Sequence, residues 1–205
     1  KEILKELADS YLFKDILSLE KISKGEKMVK LLQAIALQIG SQVSYNELSQ
    51  TVGLDTKTIE KYVDILEKCY IIFRIPSFAR NLRNELKFSR KIYFYDLGIR
   101  TAVLGNFTPV ELRTREEAGH MWENFVISEK VKHNDYTGND VRMYFWRTQQ
   151  SKEIDFLEEK DGRLSAFECK YGSKEAKLPK SFAAAYPDTP FNVVTPKNLS
   201  EIFIR

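Results

Sequence analysis

Asp155, Glu168 and Lys170 are the residues of this chain whose types and spacing could do chemistry. Asp155 lies between Ile154 and Phe156; Glu168 and Lys170 flank Cys169 in the run Phe167-Glu168-Cys169-Lys170. Read as two strands, these segments bring paired carboxylates beside an amine. Residues two apart share one face of a strand, so Glu168 and Lys170 point together while Phe167 and Cys169 point away. Ionised groups set among Ile, Phe and Cys are costly unless something compensates them. Two oxygen ligands and a lysine that can orient water are the minimal equipment for Mg²⁺-assisted phosphodiester cleavage. Asp155 and Glu168 would be the metal ligands, with Lys170 the third catalytic group. Glu153 precedes Asp155 by two and should share its face, which makes it a further candidate ligand. A solvated strand that merely alternates charge would show the same Glu-X-Lys spacing.

Other elements must position these groups. The tip Glu159-Lys160-Asp161-Gly162-Arg163 carries Asp-Gly, a strong turn signal, so a hairpin brings Asp155 and Glu168 onto neighbouring strands. Upstream, Thr114-Arg115-Glu116-Glu117 is a capping box opening a helix through about His133, with Ala118, Trp122, Phe125 and Val126 inward. Glu123 lies at the edge of that apolar face; a helix packed over the hairpin would turn it toward Asp155 as a third metal ligand. Val141 to Trp146 reads as a strand, Lys180 to Ala185 as a helix, Phe191 to Thr195 as a strand, and Leu199 to Ile204 as a last short helix or strand. Helix, three strands, helix, strand fits a mixed sheet with helices outside.

The first half has a different rhythm. Residues 1 to 19 carry a helical apolar stripe, and Met28, Leu31, Leu32, Ile35 and Ile39 continue at helical spacing to Gly40, a candidate C-cap. Ser44-Tyr45-Asn46-Glu47 is a capping box, Gly53 supplies a tight turn, and Asp55 caps a helix through Lys68 with Ile59, Tyr62, Val63 and Leu66 inward. Two β runs, Ile71 to Phe73 and Ile92 to Tyr95, bracket a basic excursion. This is the order of a winged helix-turn-helix. The outer side of its second capped helix shows Thr56, Lys57, Glu60, Lys61 and Asp64, a mixed face. Phosphate contacts are therefore expected from Lys57 and Lys61 and, on the wing, from Arg80, Arg83 and Lys87. Between Lys68 and Lys91 seven basic residues face one acid, Glu85. A winged helix used only for protein packing is the alternative. Asp96-Leu97-Gly98 begins a linking segment that turns near Gly105-Asn106. The expected organisation is residues 1–20, a helix left from a preceding region; 21–108, the winged helix; and 109–205, the α/β domain.

Composition narrows the class. The chain has 205 residues, a net charge of +3 and 43% hydrophobic residues, enough for one large domain or two small ones. No apolar run approaches the roughly 18 residues of a membrane span, and no secretory leader is evident. Cys69 and Cys169 are expected as buried free thiols in a reducing compartment, the cytoplasm. His120 and His133 are too few and too far apart for zinc. Lys1 is not an initiator, so a piece of a longer protein is expected.

Taken as a set, these residues resemble a known pattern. From about Thr114 the chain resembles the PD-(D/E)XK nuclease superfamily, whose helix glutamate, strand aspartate and strand Glu-X-Lys map onto Glu123, Asp155, Glu168 and Lys170. As a whole it is similar to the C-terminal part of a prokaryotic AAA+ ATPase family. The matching stretches are Tyr11-Leu12-Phe13-Lys14-Asp15-Ile16, Asn84-Glu85-Leu86-Lys87, Tyr93-Phe94-Tyr95-Asp96-Leu97-Gly98, Gly119-His120-Met121-Trp122-Glu123-Asn124, Glu153-Ile154-Asp155-Phe156 and Glu168-Cys169-Lys170. The resemblance implies an α/β (α+β) chain: a winged helix-turn-helix, then a restriction-endonuclease-like domain. It implies Mg²⁺ as cofactor, DNA and the ATPase domain as partners, and an oligomer as a possible assembly. No Gly-X-X-X-X-Gly-Lys-Ser/Thr loop is present, so ATP would be bound only through an ATPase domain outside this sequence.

Overall fold

The computed structural model describes residues 2–7, 25–78, 90–148, 150–172 and 175–203. They form a mixed α/β chain whose contacts divide into two compact units, residues 1–74 with 90–113 and residues 75–89 with 114–205.

In the first unit, α1 (Glu2–Leu7) precedes α2 (Gly25–Leu37), whose stripe Met28, Leu31, Leu32 and Ile35 is buried. The remainder of the stripe read over residues 1 to 19 lies outside the described residues. The helix α2 stops at Leu37, short of Gly40, which instead carries a φ of 74° in the turn that follows. Both caps form as read. Ser44 Oγ accepts the Glu47 amide at the start of α3 (Tyr45–Val52), and Asp55 Oδ1 accepts the Thr58 amide at 3.0 Å at the start of α4 (Thr56–Lys68). Between them Gly53 adopts φ 71°, a left-handed conformation that suits glycine. A three-stranded sheet follows in the order β1 (Gln42–Val43), β3 (Arg90–Phe94), β2 (Ile72–Pro76). Two residues are too few to show a period, so β1 had no sequence signal. Residues Asp96 to Gly105 are not a linker: Asp96 Oδ1 accepts the Ile99 amide and opens α5 (Leu97–Leu104), which Gly105 ends at φ 64°.

The second unit is built on α6 (Arg115–Thr137), β4 (Arg142–Arg147), β5 (Glu153–Lys160), β6 (Arg163–Cys169), α7 (Lys180–Ala185) and β7 (Phe191–Val194). Thr114 caps α6 by accepting the Glu117 amide at 3.2 Å. The helix runs past His133 because Asn134 is buried and packs inward; Gly138, at φ 64°, terminates it. The sheet order is β4-β5-β6-β7, antiparallel except for the parallel β6–β7 pair that α7 connects. Asp161 and Gly162 both have positive φ, 52° and 74°, as the two-residue hairpin turn between Lys160 and Arg163 requires. Tyr144, Ile154, Leu157, Ala166 and Phe182 form the core, and Phe156 stacks on Phe167 at 4.4 Å. Outside the strands, Ser77 bridges Phe145, and Phe78 packs edge-on to Tyr144 and Tyr186.

Candidate active site

Asp155 sits where strict strand alternation breaks. Tyr144 pairs with Leu157 but Trp146 pairs with Ile154, so β5 holds one more residue than β4 across this interval. The bulge falls on Asp155 and Phe156, and a bulge re-aims side chains locally. Glu153, before the bulge, pairs with Arg147 in register and meets Arg147 Nη1 at 3.5 Å. Burial still alternates over Glu153, Ile154 and Asp155, and the alternation breaks only at Phe156 and Leu157, both buried.

Asp155 Oδ2 accepts the Cys169 amide at 2.6 Å. Cys169 lies between Glu168 and Lys170, so this bond ties Asp155 to the end of β6. Lys170 Nζ donates to Glu168 Oε1 at 2.6 Å, and the Lys170 amide donates to the Val194 carbonyl at 2.9 Å. Burial pushes the Lys170 ammonium down in pKa, but the Glu168 hydrogen bond and the charges of Glu168 and Asp155 outweigh it and raise it above 10.5. Glu123 is buried on α6, with Oε2 4.0 Å from His120 Nδ1. Its neighbour Trp122 donates Nε1–H to the same Val194 carbonyl at 3.1 Å. One carbonyl of β7 thus holds the helix beside Glu123 and the strand end beside Glu168.

Glu123, Asp155 and Lys170 wall one cleft of about 440 Å³, with Arg115, Glu116 and Glu175. Glu168 faces its lysine and is not part of that wall. The carboxylates of the wall, Glu116, Glu123, Asp155 and Glu175, outnumber its basic side chains, Arg115, His120 and Lys170. Their hard oxygens suit Mg²⁺ in chemistry. In arrangement the fit is looser: among the described residues no three His, Cys, Asp or Glu side chains gather closely enough to hold a metal ion. The expected convergence of three acids is therefore met only in part.

The expected nucleic-acid contacts separate. Lys57 and Lys61 are exposed on α4 beside exposed Glu60. Arg80, Arg83 and Lys87 lie outside the described residues. Two members of the basic run are taken up within the fold: Arg74 is held by Asp64 at 2.8 Å and by Glu67, and Lys91 is 1% exposed. Cys169 is buried as expected, whereas Cys69 is only half-buried. No described helix is long and apolar enough to cross a membrane.

Sequence reasoning missed a second polar cluster. Lys130 is 7% exposed in its side chain; its Nζ meets Glu158 Oε1 at 3.2 Å and donates to the Ile202 carbonyl at 3.1 Å. Asn134 Nδ2 donates to the same Glu158 oxygen at 3.1 Å. The available signal was spacing: Lys130 follows Glu123 by two helical turns.

Residues 1–110 match the model of a domain of unknown function, DUF8612, and the chain belongs to that family. Residues 118–201 match a second domain of unknown function, DUF4143. An uncharacterised protein of Mycobacterium tuberculosis is 28% identical over 73% of this chain and 33% of its own length. One from Methanocaldococcus jannaschii is 28% identical over 47% of this chain and 21% of its own. The chain thus spans about a third or less of these two prokaryotic relatives. A protein of Vibrio cholerae with a known crystal structure aligns at a TM-score of 0.27 and 11% identity over 99% of this chain and 53% of its own.

Proposed function

We propose that this chain is the C-terminal part of an AAA+ family ATPase acting on DNA in the cytoplasm, in which a winged helix precedes a PD-(D/E)XK-like domain that cleaves phosphodiesters with Mg²⁺. DUF4143 is a domain of ATPase-associated proteins, which supports the first part of this reading. The element order α2-β1-α3-α4-β2-β3 supports the winged helix. For the nuclease lineage the carrying observation is the 2.6 Å bond from the Cys169 amide to Asp155, which joins the strand aspartate to the Glu-X-Lys strand end.

Asp155 and Glu168 would hold one Mg²⁺, which keeps several waters of its own, with Glu123 reaching it directly or through water. Bound there, the ion would supply Lewis acidity and a more acidic water. Lys170, swung from Glu168, would orient the attacking water or neutralise charge growing on the phosphate. The excess of carboxylates in the cleft favours a divalent cation and disfavours an unaccompanied phosphate.

A second reading rests on the closed Glu168–Lys170 pair and the absence of a three-acid cluster among the described residues. On it, the domain is an inactive scaffold that binds nucleic acid or protein for the ATPase. Melting of the chain with Mg²⁺ or Mn²⁺, paired with cleavage of plasmid and branched DNA, separates the two. The nuclease reading requires a metal-dependent rise in Tm that Asp155→Asn removes, and nicking that Lys170→Met abolishes. No rise and no nicking leave the scaffold.

A further inference from the structure

Gly119 is a helical glycine that nothing in the described protein requires. It lies within the long helix α6, where glycine is the poorest helix former after proline. A Cβ built on it meets no heavy atom of the described residues within 4 Å beyond its own stretch of helix. Neither a left-handed backbone nor a close-packed neighbour explains it. What it does is lower the floor of the cleft: Gly119 lies between Arg115 and Glu123, one turn from each, and all three wall the space shared with Asp155 and Lys170. Arg115 is the second oddity. A cation in the first turn works against the helix dipole, and among the described residues its guanidinium makes no ion pair or side-chain hydrogen bond.

We infer that the bare backbone at Gly119 is a seat for a nucleic-acid strand, with one phosphodiester lying over Gly119 and gripped by Arg115. Glycine is used where a ligand must approach the backbone closely, and a guanidinium fork matches two phosphate oxygens. The strand would then run from Arg115 toward Glu123, Asp155 and Lys170. This inference rests on the phosphodiester reading of the cleft and adds the residues that hold the strand before any chemistry.

The test is binding of a fluorescein-labelled DNA duplex by the full chain in Ca²⁺, over a salt series, with melting measured alongside. Gly119→Ala should melt a few degrees higher, since alanine favours the helix and fills open space, yet bind DNA about tenfold more weakly. Arg115→Ala should reduce the slope of log affinity against log salt by about one, and Arg115→Lys should restore the slope but not the full affinity. If Gly119→Ala is more stable and binds normally, or if it is less stable, the seat is wrong while the nuclease reading stands. Should the unaltered chain bind no DNA at low salt, the DNA reading fails and the seat fails with it.

Discussion

The amide of Cys169 points at the carboxylate of Asp155, 2.6 Å from Oδ2. A backbone donor on one strand is satisfied by a side chain of the next, at the level where β5 carries its bulge and regular pairing with β6 has ceased; the β5–β6 register begins only at Phe156. Asp155 therefore holds the sheet together as well as facing the cleft.

Asp155→Ala should leave the Cys169 amide without its acceptor and lower stability by about 1–3 kcal/mol, the usual loss when a buried donor is orphaned. Asp155→Asn keeps an acceptor oxygen and should lose about 1 kcal/mol or less, because the bond is no longer charge-assisted. Urea unfolding followed by circular dichroism reads both. Equal losses in the two variants would show that the bond contributes nothing.

Lys170 gives the stability a dependence on high pH. Its pKa in the folded chain lies above the ordinary 10.5. A raised pKa means that the native state binds the proton more tightly than the unfolded state does. The contribution is then complete below 10.5 and is lost as pH climbs through the folded value. Unfolding measured from neutral pH to beyond that range should show a decline that Lys170→Met flattens. Glu168→Gln should flatten it too, since it removes the principal cause.

Breaking the Lys130–Glu158 pair on one side should cost more than removing it whole. Lys130→Met leaves Glu158, 14% exposed in its side chain, with Asn134 as its remaining partner among the described residues, and is expected to lose about 3 kcal/mol. Lys130→Met combined with Glu158→Leu should recover part of that loss. A double-mutant cycle by chemical unfolding gives the coupling. Additive losses would show that the pair does not act as a unit.

Phe78 should matter to the second unit although it lies far from it in sequence. Its ring meets Tyr144 at 5.3 Å and Tyr186 at 5.5 Å, and its amide donates to the Phe145 carbonyl at 2.7 Å. Phe78→Ala should destabilise by about 2 kcal/mol, less than a fully buried phenylalanine because the residue is half-buried. Amide hydrogen exchange would place the loss: faster exchange at Phe145 and its neighbours on β4 is expected, and unchanged protection there would refute the contact.

Local signals were legible where one residue type carries one mechanism. Ser44, Asp55 and Thr114 each announced a helix start and each accepts the amide three residues on. Asp161-Gly162 announced the hairpin and thereby the neighbourhood of Asp155 and Glu168. What stayed hidden depends on partners far along the chain. The bulge at Asp155 and Phe156 exists only relative to β4, the burial of Lys130 only relative to Glu158 and Ile202, and the strand β1 only relative to β3. Asp96 was a missed cap of the readable kind: Asp96-Leu97-Gly98 reads as the start of a linking segment, and a helix forms there instead.

The placing of residues 75–89 with residues 114–205 means that the polypeptide leaves the first unit, returns to it and leaves again. A nick between Arg113 and Thr114 would sever one strand of a splice. The fragment bearing Phe78 would still clasp the fragment bearing Tyr144 and Tyr186, so the halves should co-purify and reassemble from separately produced pieces. A graft of residues 114–205 alone into another protein would arrive with its aromatic socket vacant.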